Sequence, residues 1–338
     1  MWLSLGVSAL VSVALAMPFD VKEQIQPITL TAYDDNFARN SMLPLSGAAY
    51  SKNPQQCLTN VFKGTLKRQI EVKCDGFKGD TCSGFTAVLP TQKAIVISFR
   101  GTDAFLQLIE EVDDGLWKAK VPFPAGGNVN LYFYNAFLDV WNGGMKDDFL
   151  SLKNQYPGYA LWVTGHSLGA AMASLCAGYI VSVGYYDKNA VKLVTVGQPR
   201  IGDSTWAKWH DANVPYSVRV VHSHDVVPHL PLEDMGYSHH MTEVFFKGDM
   251  KTSSSFVVCE ADESKSCSDG NLTDLSITDH LHYYEHDVSG YGEAGCTGNK
   301  VEEKKEQKQE VLKSKGQLNA RKLIEAIRRK VHLKNNKH

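Results

Sequence analysis

LWVTGHSLGA, residues 161–170, is the stretch that decides the fold of this chain. Its first four residues, with their β-branched and aromatic side chains, predict a short strand, and the small residues that follow predict a helix. A serine between two glycines at such a junction sits in a tight turn, where only hydrogen side chains fit at Gly165 and Gly169. The turn presents the Ser167 hydroxyl to solvent beside the first N–H groups of the helix. The pattern predicts a nucleophile at Ser167, against the plainer interpretation of a Gly-Ser turn that enters a helix.

The composition indicates a globular protein with a secretory leader. The chain has 338 residues, is 43% hydrophobic and carries a net charge of −2, which suits one large α/β domain or two small ones and does not point to nucleic acid. Residues 1–16 are almost wholly apolar and end in Ala14-Leu15-Ala16, so they predict a signal peptide. Because this segment lacks Lys and Arg, an uncleaved N-terminal anchor is the alternative.

The cysteines fit an oxidising compartment. Seven is an odd number, and Cys176 in the Ala-rich helix is expected to be a buried free thiol. Two pairs bracket short polar loops and are interpreted as local disulfides, Cys74 with Cys82 and Cys259 with Cys267. Cys57 and Cys296 lie near opposite ends of the expected domain. A sequon, Asn271-Leu272-Thr273, predicts glycosylation at Asn271 and agrees with secretion.

Strand and helix patterns alternate along the chain. Apolar or alternating runs predict strands at 69–73, 84–89, 94–99, 161–164, 191–196, 217–222 and 242–246. Helical patterns cover 33–42, 104–117, 135–152 and 205–213. The alternation predicts an α/β fold with a mostly parallel central sheet and helices on both faces, and places catalytic groups at the carboxyl ends of the strands.

A serine hydroxyl needs a base, usually a histidine held by a buried carboxylate, and in this architecture the acid and the histidine follow the serine along the chain. Asp225 comes directly after the strand at 217–222, whereas Asp203 is in a Gly-Asp turn and Asp211 in a helix. The later histidines are His229, His239, His240, His280, His282 and His286. His229 is too near the acid's own turn, and the 239–240 pair is typical of a structural role. Spacing favours His280 but leaves His282 open.

These segments together resemble a known family. GHSLGA, the strand-end FRGT, VGQPRIGD, HDVVPHLP and DHLHYY are similar to the fungal-type (class 3) secreted lipases, in their nematode-like branch, over roughly residues 30–297. The resemblance implies an α/β-hydrolase fold with a helical lid and hydrolysis of carboxylic esters. It makes Ser167 the nucleophile, Asp225 the acid and His280 the base, since the family histidine is the one in Asp-His-Leu-x-Tyr. It also pairs Cys57 with Cys296.

The same resemblance suggests an oxyanion hole and a lid. The Leu168 N–H is one donor by its position after the nucleophile, and Thr102, after Arg-Gly, corresponds to the second. The plainer interpretation of FRGT is a strand-ending turn with Gly101 at positive φ. The helix after Thr102 occupies the place of the lid, with an apolar face formed by Phe105, Leu106, Leu108 and Ile109. The chain departs from many relatives at Tyr134–Phe137, where they carry His-x-Gly-Phe.

We therefore divide the chain into a signal peptide at 1–16, a hydrolase domain at 17–299 and a basic tail at 300–338. The expected function is a secreted serine lipase or esterase that acts as a monomer on lipid esters at an oil–water interface, without metal or other cofactor. Peripheral membrane contact would involve the lid or the tail. The alternatives are an esterase on soluble or polysaccharide-linked esters, and a non-catalytic lipid-binding member of the fold. A metal site at His222, His224, Asp225, His239 and His240 matches no ligand spacing.

Overall fold

A mixed central sheet organises the computed structural model, which describes residues 32–74, 81–102, 117, 119–272 and 275–297. Eight strands of the described chain form it: β1 Thr65–Lys73, β2 Thr81–Leu89, β3 Ala94–Phe99, β6 Ala160–His166, β7 Val191–Val196, β8 Ser217–His222, β9 Glu243–Phe246 and β10 Val257–Cys259. They lie side by side in the order β1-β2-β3-β6-β7-β8-β9-β10. Strands β3, β6, β7, β8 and β9 are parallel, and β1, β2 and β10 add antiparallel pairs at the two sides. Two small hairpins, β4 Lys120–Pro122 with β5 Asn128–Asn130 and β11 His282–Tyr283 with β12 His286–Asp287, lie outside this sheet.

Helices connect the strands. The α-helices are α1 Asp35–Phe37, α2 Leu43–Ala48, α3 Pro54–Cys57, α4 Leu131–Val140, α5 Lys146–Gln155, α6 Leu168–Ser182, α7 Ser204–Asn213, α8 Ile277–Leu281 and α9 Val288–Glu293. Single π-helical turns occupy Ala38–Met42, Leu58–Phe62 and Trp141–Met145. Short 3₁₀ turns occupy Lys188–Ala190, Val227–His229, Glu233–Met235 and Ser268–Gly270.

Both faces of the sheet are covered, which explains the continuous apolar run of β3. Ile95 and Ile97 point into a core that includes residues of α4, α5 and α6, whereas Val96 points into a second core with residues of α2 and α3. Because successive side chains of a strand alternate between faces, a strand buried on both sides needs apolar residues at every position. All six residues of β3 are buried.

Two helices differ from the sequence-based prediction. Helical structure at the N-terminal side runs from Asp35 to Ala48 and passes through Pro44, because a π-helical turn directly precedes α2 and Pro44 lies in the first turn of that helix. The helix expected from residue 135 begins at Leu131, since the Asn130 side chain accepts a hydrogen bond of 3.1 Å from the Phe133 N–H and caps it. The helix predicted at 104–117 lies outside the described residues apart from Trp117.

Three disulfides link the described cysteines: Cys57–Cys296, Cys74–Cys82 and Cys259–Cys267. They are the pairs expected from the sequence, and Cys176 is a buried free thiol within α6. Residues 1–31 and 298–338, which contain the predicted signal peptide and basic tail, lie outside the described part of the chain. Among the residues that are described, none of the helices combines the length and the apolar character needed to span a bilayer.

Candidate active site

Ser167 occupies the turn between β6 and α6. Its backbone angles, φ 62° and ψ −129°, are rare for a residue with a side chain and place it outside both flanking elements. A Cβ at Gly165 would lie 2.3 Å from the Gly169 carbonyl oxygen, and one at Gly169 would lie 2.3 Å from the Phe99 carbonyl oxygen. The two glycines are therefore required by the close approach of β6, α6 and β3, and the unusual φ belongs to the serine.

Asp225 and His280 form a buried pair at the same edge of the sheet. Asp225 follows β8, and His280 lies in α8, with Nδ1 2.9 Å and 3.0 Å from the two carboxylate oxygens. Both residues are fully buried. Because the carboxylate only accepts, Nδ1 carries the proton, and Nε2 is left as the basic nitrogen.

The Asp225 carboxylate is further held by two donors. The Tyr283 hydroxyl donates to it over 2.6 Å and the Val227 N–H over 2.8 Å. Burial alone would raise the pKa of Asp225, but the His280 imidazole and these hydrogen bonds stabilise the charged form, so the pKa lies below its ordinary value. The carboxylate thus stays ionised beside His280.

Ser167 and His280 open into one small cavity. Ser167 Oγ and His280 Nε2 are both buried, and neither has a hydrogen-bond partner among the described residues. The cavity is lined by Tyr50, Thr102, His166, Ser167, His280, Leu281 and Ser289. The hydroxyl and the basic nitrogen are therefore free to act on each other and on a bound molecule.

His166, for which no role was predicted from the sequence, contacts His280 through a hydrogen bond and a stacked ring. Its Nε2 lies 2.8 Å from the His280 carbonyl oxygen and its Nδ1 2.7 Å from the Tyr50 hydroxyl, and its ring stacks on that of His280 at 4.6 Å. A carbonyl only accepts, so Nε2–H donates and Nδ1 accepts from Tyr50. Burial and the nearby His280 lower the pKa of His166 to about 3, which keeps this ring neutral. The signal in the sequence was the His of GHSLG.

Gly197 belongs to the VGQPRIGD segment, and no role for it was predicted from the sequence. It follows β7 with φ 60°, and a Cβ there would lie 2.8 Å from His280 Cε1 and 3.0 Å from Asp225 Oδ2. The backbone of VGQPR therefore packs directly against the Asp225–His280 pair. Only glycine leaves room for the pair and adopts this φ without strain.

The predicted oxyanion residues lie beside the serine. Leu168 begins α6, where the first N–H groups of a helix have no partner within it, and Thr102 lines the Ser167 cavity. Gly101 is not at positive φ, so that expectation for a plain turn was wrong. A Cβ at Gly101 would lie 2.2 Å from the Tyr50 hydroxyl and 3.0 Å from Ser167 Cβ, so this glycine lets Thr102 approach the serine.

The competing acids and histidines have other partners. Asp203 caps α7 by accepting from the Trp206 N–H, and Asp211 accepts from the Met241 N–H. His282 Nδ1 lies 2.8 Å from the Thr278 carbonyl oxygen. The structure therefore pairs His280, and not His282, with Asp225.

Two predicted features fall partly or wholly outside the described residues. The lid residues Phe105, Leu106, Leu108 and Ile109 lie outside them. Asn271 is half-buried, and its side-chain amide donates to the Ser223 carbonyl oxygen over 3.3 Å. Thr273 of the same sequon lies outside the described residues.

Among the described residues, two groups bring metal-ligating residue types together. One comprises His210, Asp211 and His240, and the other Glu233, Glu263 and Asp269. In the first, the two imidazoles stack at 3.9 Å with planes 24° apart, so their in-plane lone pairs do not converge on one point. In the second, the buried Arg200 guanidinium already forms ion pairs with the carboxylates, at 2.8 Å to Glu263 and 3.0 Å to Asp269. Of the residues weighed from the sequence as a metal site, Asp225 instead forms a hydrogen bond with His280.

Comparison with known proteins gives consistent matches. Residues 96–235 match the family described as Lipase (class 3). A Caenorhabditis elegans lipase is 37% identical, with the alignment covering 78% of this chain and 83% of that protein. A secreted mono- and diacylglycerol lipase of Gibberella zeae is 30% identical over 60% of this chain and 54% of its own length. The solved Rhizomucor miehei triacylglyceride lipase superposes with a TM-score of 0.67 at 26% identity, covering 76% of this chain and 97% of that one.

Proposed function

Because this chain belongs to the class 3 lipase family and has its α/β-hydrolase fold, it is a carboxylic ester hydrolase of lipids, and we propose that it acts through an acyl-enzyme on Ser167. The family, fold and enzyme class predicted from the sequence are thereby confirmed. The observation that carries the mechanism is the cavity that Ser167 and His280 both line. Ser167 Oγ and His280 Nε2 are buried there without a hydrogen-bond partner among the described residues, and the other nitrogen of His280 pairs with Asp225.

In this mechanism His280 transfers one proton in each of two half-reactions. Its Nε2 takes the proton of Ser167 as Oγ attacks the ester carbonyl, and gives it to the leaving alcohol as the acyl-enzyme forms. It then takes a proton from a water molecule as the water attacks the acyl-enzyme, and returns that proton to Ser167 Oγ as the fatty acid leaves. Asp225 stabilises the imidazolium, and His166, neutral and stacked on the ring, fixes its orientation.

The tetrahedral oxyanion is stabilised by donors on both sides of Ser167. The Leu168 N–H belongs to the first turn of α6, whose dipole also favours negative charge at this point, and Thr102 supplies the second donor. Because such donors act only as the charge develops, they lower the barrier and not merely the substrate's dissociation constant.

Replacement of the nucleophile tests this proposal. Ser167→Ala is expected to abolish hydrolysis of p-nitrophenyl butyrate and of emulsified triolein, and to prevent labelling by a fluorophosphonate probe. Ser182→Ala, in the last turn of the same helix, is the matched control and should keep both. Labelling of the Ser167→Ala protein, or undiminished turnover by it, would refute the acyl-enzyme at this residue.

Replacement of Thr102 tests the oxyanion hole separately. Thr102→Ala is expected to lower kcat by about 100- to 1,000-fold, the usual consequence of losing one such donor. Thr102→Ser keeps a hydroxyl and should retain most of the activity. Equal activity of the Ala and Ser variants would remove the Thr102 hydroxyl from the mechanism.

We also propose the boundaries and location read from the sequence. Residues 1–16 would be removed on secretion, 17–299 would form the monomeric hydrolase domain, and 300–338 would be an appended basic tail. The apolar leader, the three disulfides and the secreted relatives support this arrangement. N-terminal sequencing of protein exported from a eukaryotic host should begin at Met17.

The enzyme would bind its lipid substrate at an oil–water interface. The apolar positions Phe105, Leu106, Leu108 and Ile109 would form a lid, and this lid or the basic tail would supply any membrane contact. The apolar pattern in the sequence and the family membership support this proposal. A rise in activity when the substrate passes its solubility limit would be the expected signature.

A further inference from the structure

A polar cavity of about 600 Å³ adjoins the Ser167 cavity. Its lining includes Tyr50, Lys52, Gln69, Arg100, Thr102 and Glu293, and we call it the polar groove. Tyr50, Thr102 and Ser289 line both cavities, so the groove begins beside the reacting hydroxyl. Its volume lies within the range of cavities that hold small organic groups.

The groove is built from elements that meet at the catalytic edge of the sheet. Glu71, which also lines the groove, lies near the carboxyl end of β1, Arg100 follows β3, and Glu293 ends α9. Arg100 is held by Glu71, with a nitrogen–oxygen distance of 3.2 Å, and by the Thr81 hydroxyl at 2.8 Å. Arg100 and Glu71 therefore pair with each other and line one side of the groove.

Two further charges face the groove and remain available. Lys52 and Glu293 are both exposed, and neither has an ion-pair partner among the residues that the structure describes. The groove therefore offers one cation and one anion to a bound molecule, beside hydroxyl and amide groups that both donate and accept.

This lining suits the alcohol part of a lipid ester and not its acyl chain. An acyl chain gains free energy by leaving water only when its surroundings are apolar, and here it would also desolvate charged side chains. Hydroxyl or charged groups on the leaving alcohol replace their bonds to water by bonds to the groove. The alcohol side of the ester is thus the part that fits.

We propose that the polar groove binds the polar head of the leaving alcohol, so that the enzyme prefers glycerolipids with free hydroxyls or a zwitterionic head group over triacylglycerol. Lys52 binds an oxygen of that head, and Glu293 binds a hydroxyl or ammonium group. The reaction is unchanged: water supplies the hydroxyl of the released fatty acid, and a proton passes to the leaving alcohol. This inference rests on the proposed function, because it needs the ester at Ser167.

The test compares three lipids in mixed detergent micelles, with the full chain and its variants. The substrates are monooleoylglycerol, dioleoylphosphatidylcholine and trioleoylglycerol, and the readout is the ratio of kcat/KM for each polar lipid to that for trioleoylglycerol. We expect this ratio to exceed one in the wild type for at least one polar lipid. Lys52→Ala and Glu293→Gln should each lower it about five- to tenfold, as expected for the loss of one hydrogen bond in a solvent-exposed groove.

Matched controls carry the same substitutions elsewhere on the surface. Lys208→Ala on α7 and Glu260→Gln after β10 are exposed and outside the groove, and should leave the ratio unchanged. A loss confined to dioleoylphosphatidylcholine would identify the phosphodiester head, and a loss with monooleoylglycerol would identify the glycerol hydroxyls. A ratio below one in the wild type for both polar lipids, or an unaltered ratio in both groove variants, would overturn the inference. Absence of hydrolysis with all three lipids would instead refute the proposed function.

Discussion

The geometry of the site depends on residue 197 being a glycine, which has no side chain beyond hydrogen. The residue combines φ 60° with a distance of only 2.8 Å between the point that a Cβ would occupy and His280 Cε1. An added methyl group would strain the backbone at this φ and would collide with the His280 imidazole, which is hydrogen-bonded to Asp225. A general base needs positioning within a fraction of an ångström, so the role proposed for His280 depends on this glycine.

Gly197→Ala is expected to lower kcat at least tenfold, because the new methyl group displaces His280. The matched control is Gly184→Ala, since Gly184 has φ 70° but no atom within 4 Å of the added Cβ. Both variants should lose about 1 kcal/mol of stability from backbone strain. Kinetics with p-nitrophenyl butyrate and urea unfolding separate the two effects, and similar kcat losses in both variants would contradict the collision.

At the scale of elements, helices α2 and α9 are held together beside the polar groove. A Cβ at Gly292 of α9 would lie 1.7 Å from the Gly47 carbonyl oxygen of α2, so the backbones are in direct contact. The Cys57–Cys296 disulfide joins the end of α3 to the residues just after α9 and closes a loop of 239 residues. It therefore ties the N-terminal helices to the element that carries Ser289 and Glu293.

Removal of this disulfide should cost more than removal of a local one. The chain-entropy relation gives about 5.5 kcal/mol for a loop of that length and about 2.5 kcal/mol for the Cys74–Cys82 loop of 8 residues. Thermal unfolding of the Cys57→Ser/Cys296→Ser and Cys74→Ser/Cys82→Ser double variants is the measurement. A lower melting temperature for the Cys74/Cys82 variant than for the Cys57/Cys296 variant would contradict the expectation.

At the scale of the whole molecule, buried neutral histidines couple folding to pH. Burial lowers the pKa of His166 and His210 to about 3 and that of His239 and His240 well below the ordinary value. Below pH 6.5 the unfolded chain binds protons that the folded chain does not, so the free energy of unfolding falls as the pH falls. Asp211 acts oppositely, since burial raises its pKa to about 8 and its contribution to stability is lost as the pH rises toward that value.

Acidification from pH 7.5 to 5 is therefore expected to lower the free energy of unfolding by about 2 kcal/mol for each of these histidines. Asp211 partly offsets this loss, because its contribution to stability grows as the pH falls. Urea unfolding at several pH values measures the slope. Asp211→Asn removes the opposing contribution and should make the decline steeper. A free energy of unfolding that stays level over this range, or an unaltered slope in the variant, would contradict the assignment.

Prediction from the sequence succeeded where the signal is local. The buried run of β3 and the strand–serine–helix pattern at Ser167 each depend on neighbours along the chain, because alternation, tight turns and helix propensity act within a few residues. Element boundaries were less well predicted, as at Leu131, where a cap by Asn130 starts the helix four residues earlier than expected.

Contacts between distant segments were decided by the tertiary structure alone. Spacing left His280 and His282 both open, and the fold places only the former on Asp225, 55 residues away in the chain. The roles proposed for His166 and Gly197 likewise arise where separate strands end at one edge of the sheet, and the polar groove receives Lys52 from the segment before α3 and Glu293 from α9. Their distances depend on how the sheet and helices pack, and no local pattern of residues records that packing.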